Sequence, residues 1–193
     1  MNETDARVVR TREQLRSAFI KLVIEQGYDA ITVLDIADQA KVGRKTFYRH
    51  YQDKEALLYA TLEEIIIEGR PFLLPPESPK AAEENTLHAL RFAHRYAELL
   101  RVLLRSPVAE QLLQPLFVFG ITEGHRFFGG STTPDALVAY HFVSTMMALT
   151  RWWIEQGMPY PPEEMAEYIN RLLIRPISQL ERKGQSDSES VRQ

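Results

Sequence analysis

The sequence predicts an all-α protein of two domains, a small N-terminal three-helix domain followed by a larger helical one. Three observations lead there. Apolar residues recur at three- and four-residue steps through most of the 193 residues, which is the periodicity of helices with one buried face. No run alternates polar and apolar residues long enough to require a strand. Pro71, Pro75, Pro76 and Pro79 punctuate Gly69 to Lys80, so this stretch reads as a loop and as the domain boundary.

The charged first residues, 1–10, read as a flexible arm. A first helix fits Arg12 to Gln26, with Leu15, Ala18, Phe19, Leu22 and Val23 as its apolar stripe and Gly27 as its stop. Thr32 then sits where an N-cap belongs, with Asp35 three residues on as a weak substitute for the usual Glu or Gln partner. Val33, Ile36, Ala37 and Ala40 recur as one buried face. Lys41-Val42-Gly43 breaks that pattern. A second short helix begins near Gly43, carrying Arg44, Lys45 and Thr46 outward while Phe47 turns inward. Two short helices around a tight turn are the layout of a helix-turn-helix, whose second helix lies in the DNA major groove. Asp53 can cap a fourth helix that runs to about Glu68, with Leu57, Leu58, Leu62, Ile65 and Ile66 as its apolar positions.

The net charge of -3 opposes DNA binding only until it is divided by region. Residues 1–54 hold ten Lys or Arg against eight acids, a balance of +2, so the remainder carries -5. Within 41–54 five basic residues face only Asp53. Phosphate neutralisation depends on local charge, so this concentration outweighs the total. A base-reading Arg44 or Lys45 would favour guanine O6 and N7, and Thr46 a thymine methyl.

Residues Arg12 to Leu58 resemble the DNA-binding domain of TetR-family transcriptional repressors. The run Phe47-Tyr48-Arg49-His50-Tyr51-Gln52-Asp53-Lys54-Glu55 is the most specific part, supported by Gly27-Tyr28, Thr32-Val33 and Ile36-Ala37. The resemblance implies phosphate contacts from Tyr48, His50 and Lys54, which share the family's spacing. Thr32 could add a hydroxyl and N–H groups at a helix N-terminus. Two positions depart from the family pattern. Lys41 stands where the turn usually has Gly, at a cost of about 1 kcal/mol in a left-handed conformation. Gly43 stands where a Ser or Thr cap is usual, at a cost of a few tenths.

Beyond the loop the pattern stays helical. Ala81 to about Ser106 is one apolar-periodic stretch that admits a break near Tyr96. Pro107 suits either the first turn of the next helix or a break before it. Val108 to Phe128 is aromatic-rich, Gly129-Gly130-Ser131 is a turn, and Pro134 suits a helix start. Asp135 to Gln156 and Pro162 to Lys183 form the last two helices, and 184–193 reads as a disordered tail. Leu137, Tyr140, Val143, Ser144, Met147, Trp152 and Ile154 spread apolar surface over more than one face, so one face needs a partner. Arg151 to Ala166 is similar to the Trp-containing end of the penultimate helix in many TetR-like proteins, which implies a homodimer built on these two helices. The interface candidates are Tyr140, Met147, Ile169, Leu172 and Leu173.

Catalytic and metal motifs are weak: no Gly-rich phosphate loop, no His-Glu-x-x-His, no Gly-x-Ser-x-Gly and no Cys. No metal or cofactor is expected. The run Leu137 to Leu149 is too short to cross a bilayer, and MNETDARVVR is too charged for a signal core, so a cytoplasmic protein with no membrane partner is expected. Aromatic side chains with interspersed polar groups in the second half suit a small-molecule cavity. Phe92, Arg95, Tyr96, Phe117, His141 and Trp152 are its candidates, and the resemblance implies that such a cavity senses an inducer. The expected partners are therefore a near-palindromic double-stranded DNA operator, an unknown small-molecule effector and a second copy of the chain. Residues 1–53 would bind DNA. Residues 54–183 would bind effector and dimerise, with 54–68 as the connecting helix. The rival is a helical carrier or enzyme whose N-terminal motif has lost DNA binding, which Lys41 and Gly43 support.

Overall fold

A computed structural model describes residues 3–73, 78–107, 109–127 and 134–179, and no strand occurs among them. They form two compact units, residues 1–65 with 98–106, and residues 66–97 with 107–193.

In the first unit α1 (Glu3–Gln26), α2 (Val33–Gln39), α3 (Arg44–His50) and the first three turns of α4 (Lys54–Gly69) surround one core. Helix α1 begins at Glu3 rather than at Arg12, so most of the expected arm is helical. The reason is local: no Gly or Pro interrupts residues 1–26, and the Thr11 hydroxyl donates back to the Arg7 carbonyl at 2.9 Å. All five residues of its predicted stripe are buried. Gly27, at φ +84°, ends it by donating its N–H to the Val23 carbonyl. Ile36, Ala37, Ala40 and Phe47 complete the core, joined by Leu57, Leu58, Leu62 and Ile65 of α4. α6 (Ala97–Arg105) belongs to this unit from Glu98 onward and buries Leu99 and Leu103.

In the second unit a 3-10 turn (Arg70–Leu73) follows α4, and Ser78 caps α5 (Pro79–Arg95). The predicted loop 69–80 is therefore shorter than expected, because Pro79 occupies a first-turn position where its missing N–H has no cost. Its residues 74–77 lie outside the described ones. α5 breaks at Tyr96 (φ -104°, ψ 18°), as the pattern admits. α7 (Ala109–Phe127) carries Pro115 within it and packs along α8 (Asp135–Glu155), while α9 (Pro162–Ile169) packs along α5. α9 continues through a π-helical turn, Asn170–Ile174, and then α-helix to residue 179. The predicted end of this helix at Lys183, the tail 184–193 and the turn at 129–131 lie outside the described residues.

The α8–α9 junction is set by one tryptophan. Trp153 is fully buried and its indole N–H donates to the Tyr160 carbonyl at 2.9 Å. Gly157 (φ 76°) and Met158 (φ 56°) close α8 by donating to the carbonyls of Ile154 and Trp153, a Schellman ending. Across α5 and α9, Arg91 pairs with Glu163 at 2.8 Å, and Arg175 holds Glu83 and Glu167 at about 3 Å. These pairs are exposed, so each contributes only about 0–1 kcal/mol.

Candidate nucleic-acid interface

The interface is assembled from the cap of α2, the turn after it and the exposed face of α3. Thr32 caps α2 by accepting from the Asp35 N–H, and the Asp35 carboxylate accepts from both the Thr32 N–H (2.8 Å) and its hydroxyl (2.6 Å). Asp35 therefore completes the capping box in the position usually held by Glu or Gln. The Thr32 hydroxyl bond, and then its backbone bond, hold the Asp35 carboxyl below its usual pKa. Both Thr32 donors are bonded to Asp35, so a phosphate must displace that carboxylate to reach them.

The turn that follows is a second Schellman ending. The Val42 N–H donates to the Ala37 carbonyl at 3.0 Å and the Lys41 N–H to the Asp38 carbonyl at 3.1 Å. Lys41 occupies its left-handed position at φ 55°, as its place in the sequence predicts. Gly43 then caps α3 in extended conformation without a side-chain bond. A Cβ added there meets only the Thr46 hydroxyl, at 3.9 Å, so a Ser would fit.

Phe47 is fully buried and acts as the pivot of α3, touching the rings of Tyr48 (5.5 Å) and Tyr51 (6.0 Å). Anchoring that residue turns Arg44, Lys45, Tyr48 and Arg49 to the outside and leaves Thr46 and His50 half-buried. Three of the predicted residues, Arg44, Lys45 and Thr46, thus lie together at the N-terminal end of α3. The Arg44 guanidinium lies 5.6 Å from the centre of the Tyr48 ring, a cation–π contact that pre-positions both. Burial lowers the His50 pKa, and the neighbouring Arg12 and Arg49 lower it further. Both effects favour the neutral imidazole, which keeps one ring N–H to donate.

Lys54, expected to offer a phosphate its charge at the start of α4, is also bonded within the protein. Its ammonium donates to the carbonyls of Tyr28 (2.9 Å) and Ile31 (2.8 Å) and sits 4.2 Å over the Tyr28 ring. It staples the start of α4, capped by Asp53 at 2.7 Å, to the loop between α1 and α2. One of its three protons remains for a phosphate. Arg12, which the motif reading passes over, lies close enough to affect both His50 and Tyr51. Its only sequence signal is the local excess of basic residues.

The cavity candidates of the second unit fall into ring contacts and an exposed set. Phe92 and Tyr96 form a ring cluster with Phe72, with centroids 5.2 and 5.0 Å apart, and the Tyr96 hydroxyl donates to Glu68. Phe117 packs instead on Tyr140 at 5.7 Å. Arg95, His141 and Trp152 are exposed. The interface candidates also divide. Tyr140 and Leu172 are exposed, at 55% and 69%, and Met147 is half-buried. Ile169 and Leu173 are fully buried in the unit's own core. That corrects their assignment, because a partner cannot reach them. Leu137 and Trp152 of α8 add exposed apolar surface. No cluster of metal-binding side chains occurs among the described residues.

The geometry agrees with comparisons to known proteins. Residues 15–61 match the bacterial regulatory proteins of the tetR family, and residues 81–175 match a transcriptional regulator C-terminal region. The HTH-type transcriptional regulator YxbF of Bacillus subtilis (strain 168) is 29% identical over 187 residues, covering 90% of this chain and 47% of that protein. The chain thus spans about half the length of this curated relative. A TetR-family transcriptional regulator from Streptomyces coelicolor has the same fold, with a TM-score of 0.70 at 18% identity over 88% of this chain and 81% of that one. NalD, the secondary repressor of the MexAB-OprM multidrug efflux pump in Pseudomonas aeruginosa, matches at a TM-score of 0.59 and 16% identity over 88% and 95% of the two chains. Helix-turn-helix geometry, both family matches and these structural neighbours agree, and the chain belongs to the TetR family of bacterial transcriptional regulators.

Proposed function

We propose that the chain is a sequence-specific DNA-binding transcriptional regulator, and that it acts as a repressor which releases its operator when a small molecule binds the C-terminal domain. The observation that carries this reading is the exposure of Arg44 and Lys45, with half-buried Thr46 beside them, at the start of a helix anchored by the buried Phe47. A helix so anchored can enter the major groove with three side chains within reach of base edges. Tyr48, His50 and the remaining proton of Lys54 serve the flanking phosphates. Residues 1–53 are the DNA-binding part, and 54–183 the effector-binding and dimerising part.

Dimerisation is supported by exposed Leu137, Tyr140 and Trp152 on α8 and by Leu172 next to α9. An isolated protomer would leave these side chains in water. A two-fold dimer implies a near-palindromic operator with half-sites one or more helical turns apart. No described helix is long and apolar enough to cross a membrane, and the proposed place of action is the cytoplasm, where operator DNA lies.

Selection of bound duplexes from random DNA tests the proposal. The expected result is one enriched sequence with two-fold symmetry. Retention of DNA without any enriched sequence overturns sequence-specific binding, and no retention at low salt favours the helical carrier or enzyme instead.

A further inference from the structure

A cleft of about 630 Å³ opens between α1 and the end of α2, within the first unit. Arg10, Glu13, Arg16, Lys21, Gln39 and Lys41 are among the residues that line it. Its charge is unbalanced, with four cations against the single carboxylate of Glu13. Arg16 is paired with Glu64 at 2.8 Å, and Lys21 stands 4.0 Å from Glu25. Arg10 and Lys41 have no carboxylate partner among the described residues.

Lys41 supplies the second observation. It holds the left-handed position of the turn at φ 55°, a conformation that favours glycine. Backbone strain at a charged residue points to a use for its side chain. Lys41 lines the cleft and stands three residues before Arg44, in the turn that leads into α3.

We propose that the cleft is a second DNA contact, in which Arg10 and Lys41 grip the sugar–phosphate backbone beside the half-site read by α3. The inference rests on the DNA-binding reading and extends the interface from the recognition helix to α1. A duplex in the groove at the start of α3 continues past the turn, and unpaired cations there release counterions from its phosphates. These contacts add affinity without reading sequence.

The test compares wild type, Lys41→Gly, Arg10→Ala and the double variant on a selected operator duplex and on a scrambled duplex, each across a salt series, alongside thermal unfolding. Lys41→Gly relieves the left-handed strain, so its midpoint temperature rises while its DNA affinity falls. Each single variant lowers the salt slope by about one unit and the double variant by about two. Over a fourfold rise in salt, each single variant loses about threefold less affinity than wild type does. The ratio of operator to scrambled binding stays at the wild-type value.

Wild type that binds the operator, with both single variants keeping its slope and affinity, overturns the cleft contact and leaves the DNA-binding reading intact. Wild type that discriminates no duplex overturns both. If slopes are unchanged while calorimetry shows pyrophosphate binding that Lys41→Gly loses, the cleft holds a free anion and the backbone contact is overturned.

Discussion

The ammonium of Lys54 has three protons, and two of them point at the carbonyl oxygens of Tyr28 and Ile31. Removing it leaves two part-buried acceptors without a donor, so Lys54→Ala should lower stability by about 1–3 kcal/mol in urea unfolding as well as weaken DNA binding. Unchanged stability would show that the staple contributes nothing. His50 gives a pH dependence whose sign follows from its surroundings. Burial, Arg12 and Arg49 depress its pKa below the ordinary 6.5, so its contribution to stability is complete above that value and is lost as pH falls through the lower folded value. DNA phosphate acts in the opposite direction by favouring the imidazolium. Operator affinity should therefore rise between pH 7.5 and 5.5 in wild type, and rise less in His50→Gln, when followed by fluorescence anisotropy. Identical pH profiles for the two proteins would remove His50 from the phosphate contacts. Neither the staple nor the neighbour Arg12 is legible from spacing, because Lys54 bonds to carbonyls 26 and 23 residues away. The aromatic and basic run 47–55 marks the contact region without showing which donors are already spent.

Helix faces were more legible than single contacts. The stripe Leu15, Ala18, Phe19, Leu22 and Val23 and the positions Leu57, Leu58, Leu62, Ile65 and Ile66 are all buried, because one-sided burial writes its period directly into a helix. Where a helix is apolar on two faces, the period cannot say which face its own domain covers. Leu172 and Leu173 illustrate this, since they are neighbours in sequence but lie at 69% and 0% exposure. Their glutamate variants should part accordingly. Leu172→Glu should keep the helical circular dichroism of the wild type and sediment as a monomer, with loss of tight operator binding. Leu173→Glu places a carboxylate in the core and should prevent stable folding, at a cost above about 4 kcal/mol. A dimeric Leu172→Glu would move the interface elsewhere. The start of α1 was also hidden, because charged residues at a chain terminus suit an arm and a solvated helix equally well.

At the scale of the whole molecule, regulation requires a free-energy coupling between effector and operator sites. An effector that releases DNA must weaken operator binding, and by reciprocity operator must weaken effector binding by the same factor, about 5–150-fold for a coupling of about 1–3 kcal/mol. Tryptophan fluorescence can follow such a ligand, since Trp152 is exposed and Trp153 is buried in the same unit. A ligand with equal affinity in the presence and absence of operator is not an inducer of this protein. The family and the all-α fold were legible from residues 12–58. An effector cavity was not, because ring clusters that fill a core and rings that line a pocket share one composition.

In the proposed function the start of α3 reads bases. The most direct test is the affinity of wild type and Arg44→Ala for a selected operator and for a scrambled duplex of the same length. Arg44 should contribute about 1–3 kcal/mol on the operator and little on the scrambled duplex, so the variant's preference collapses toward one. Equal losses on both duplexes would make Arg44 a backbone contact and contradict base readout by this helix.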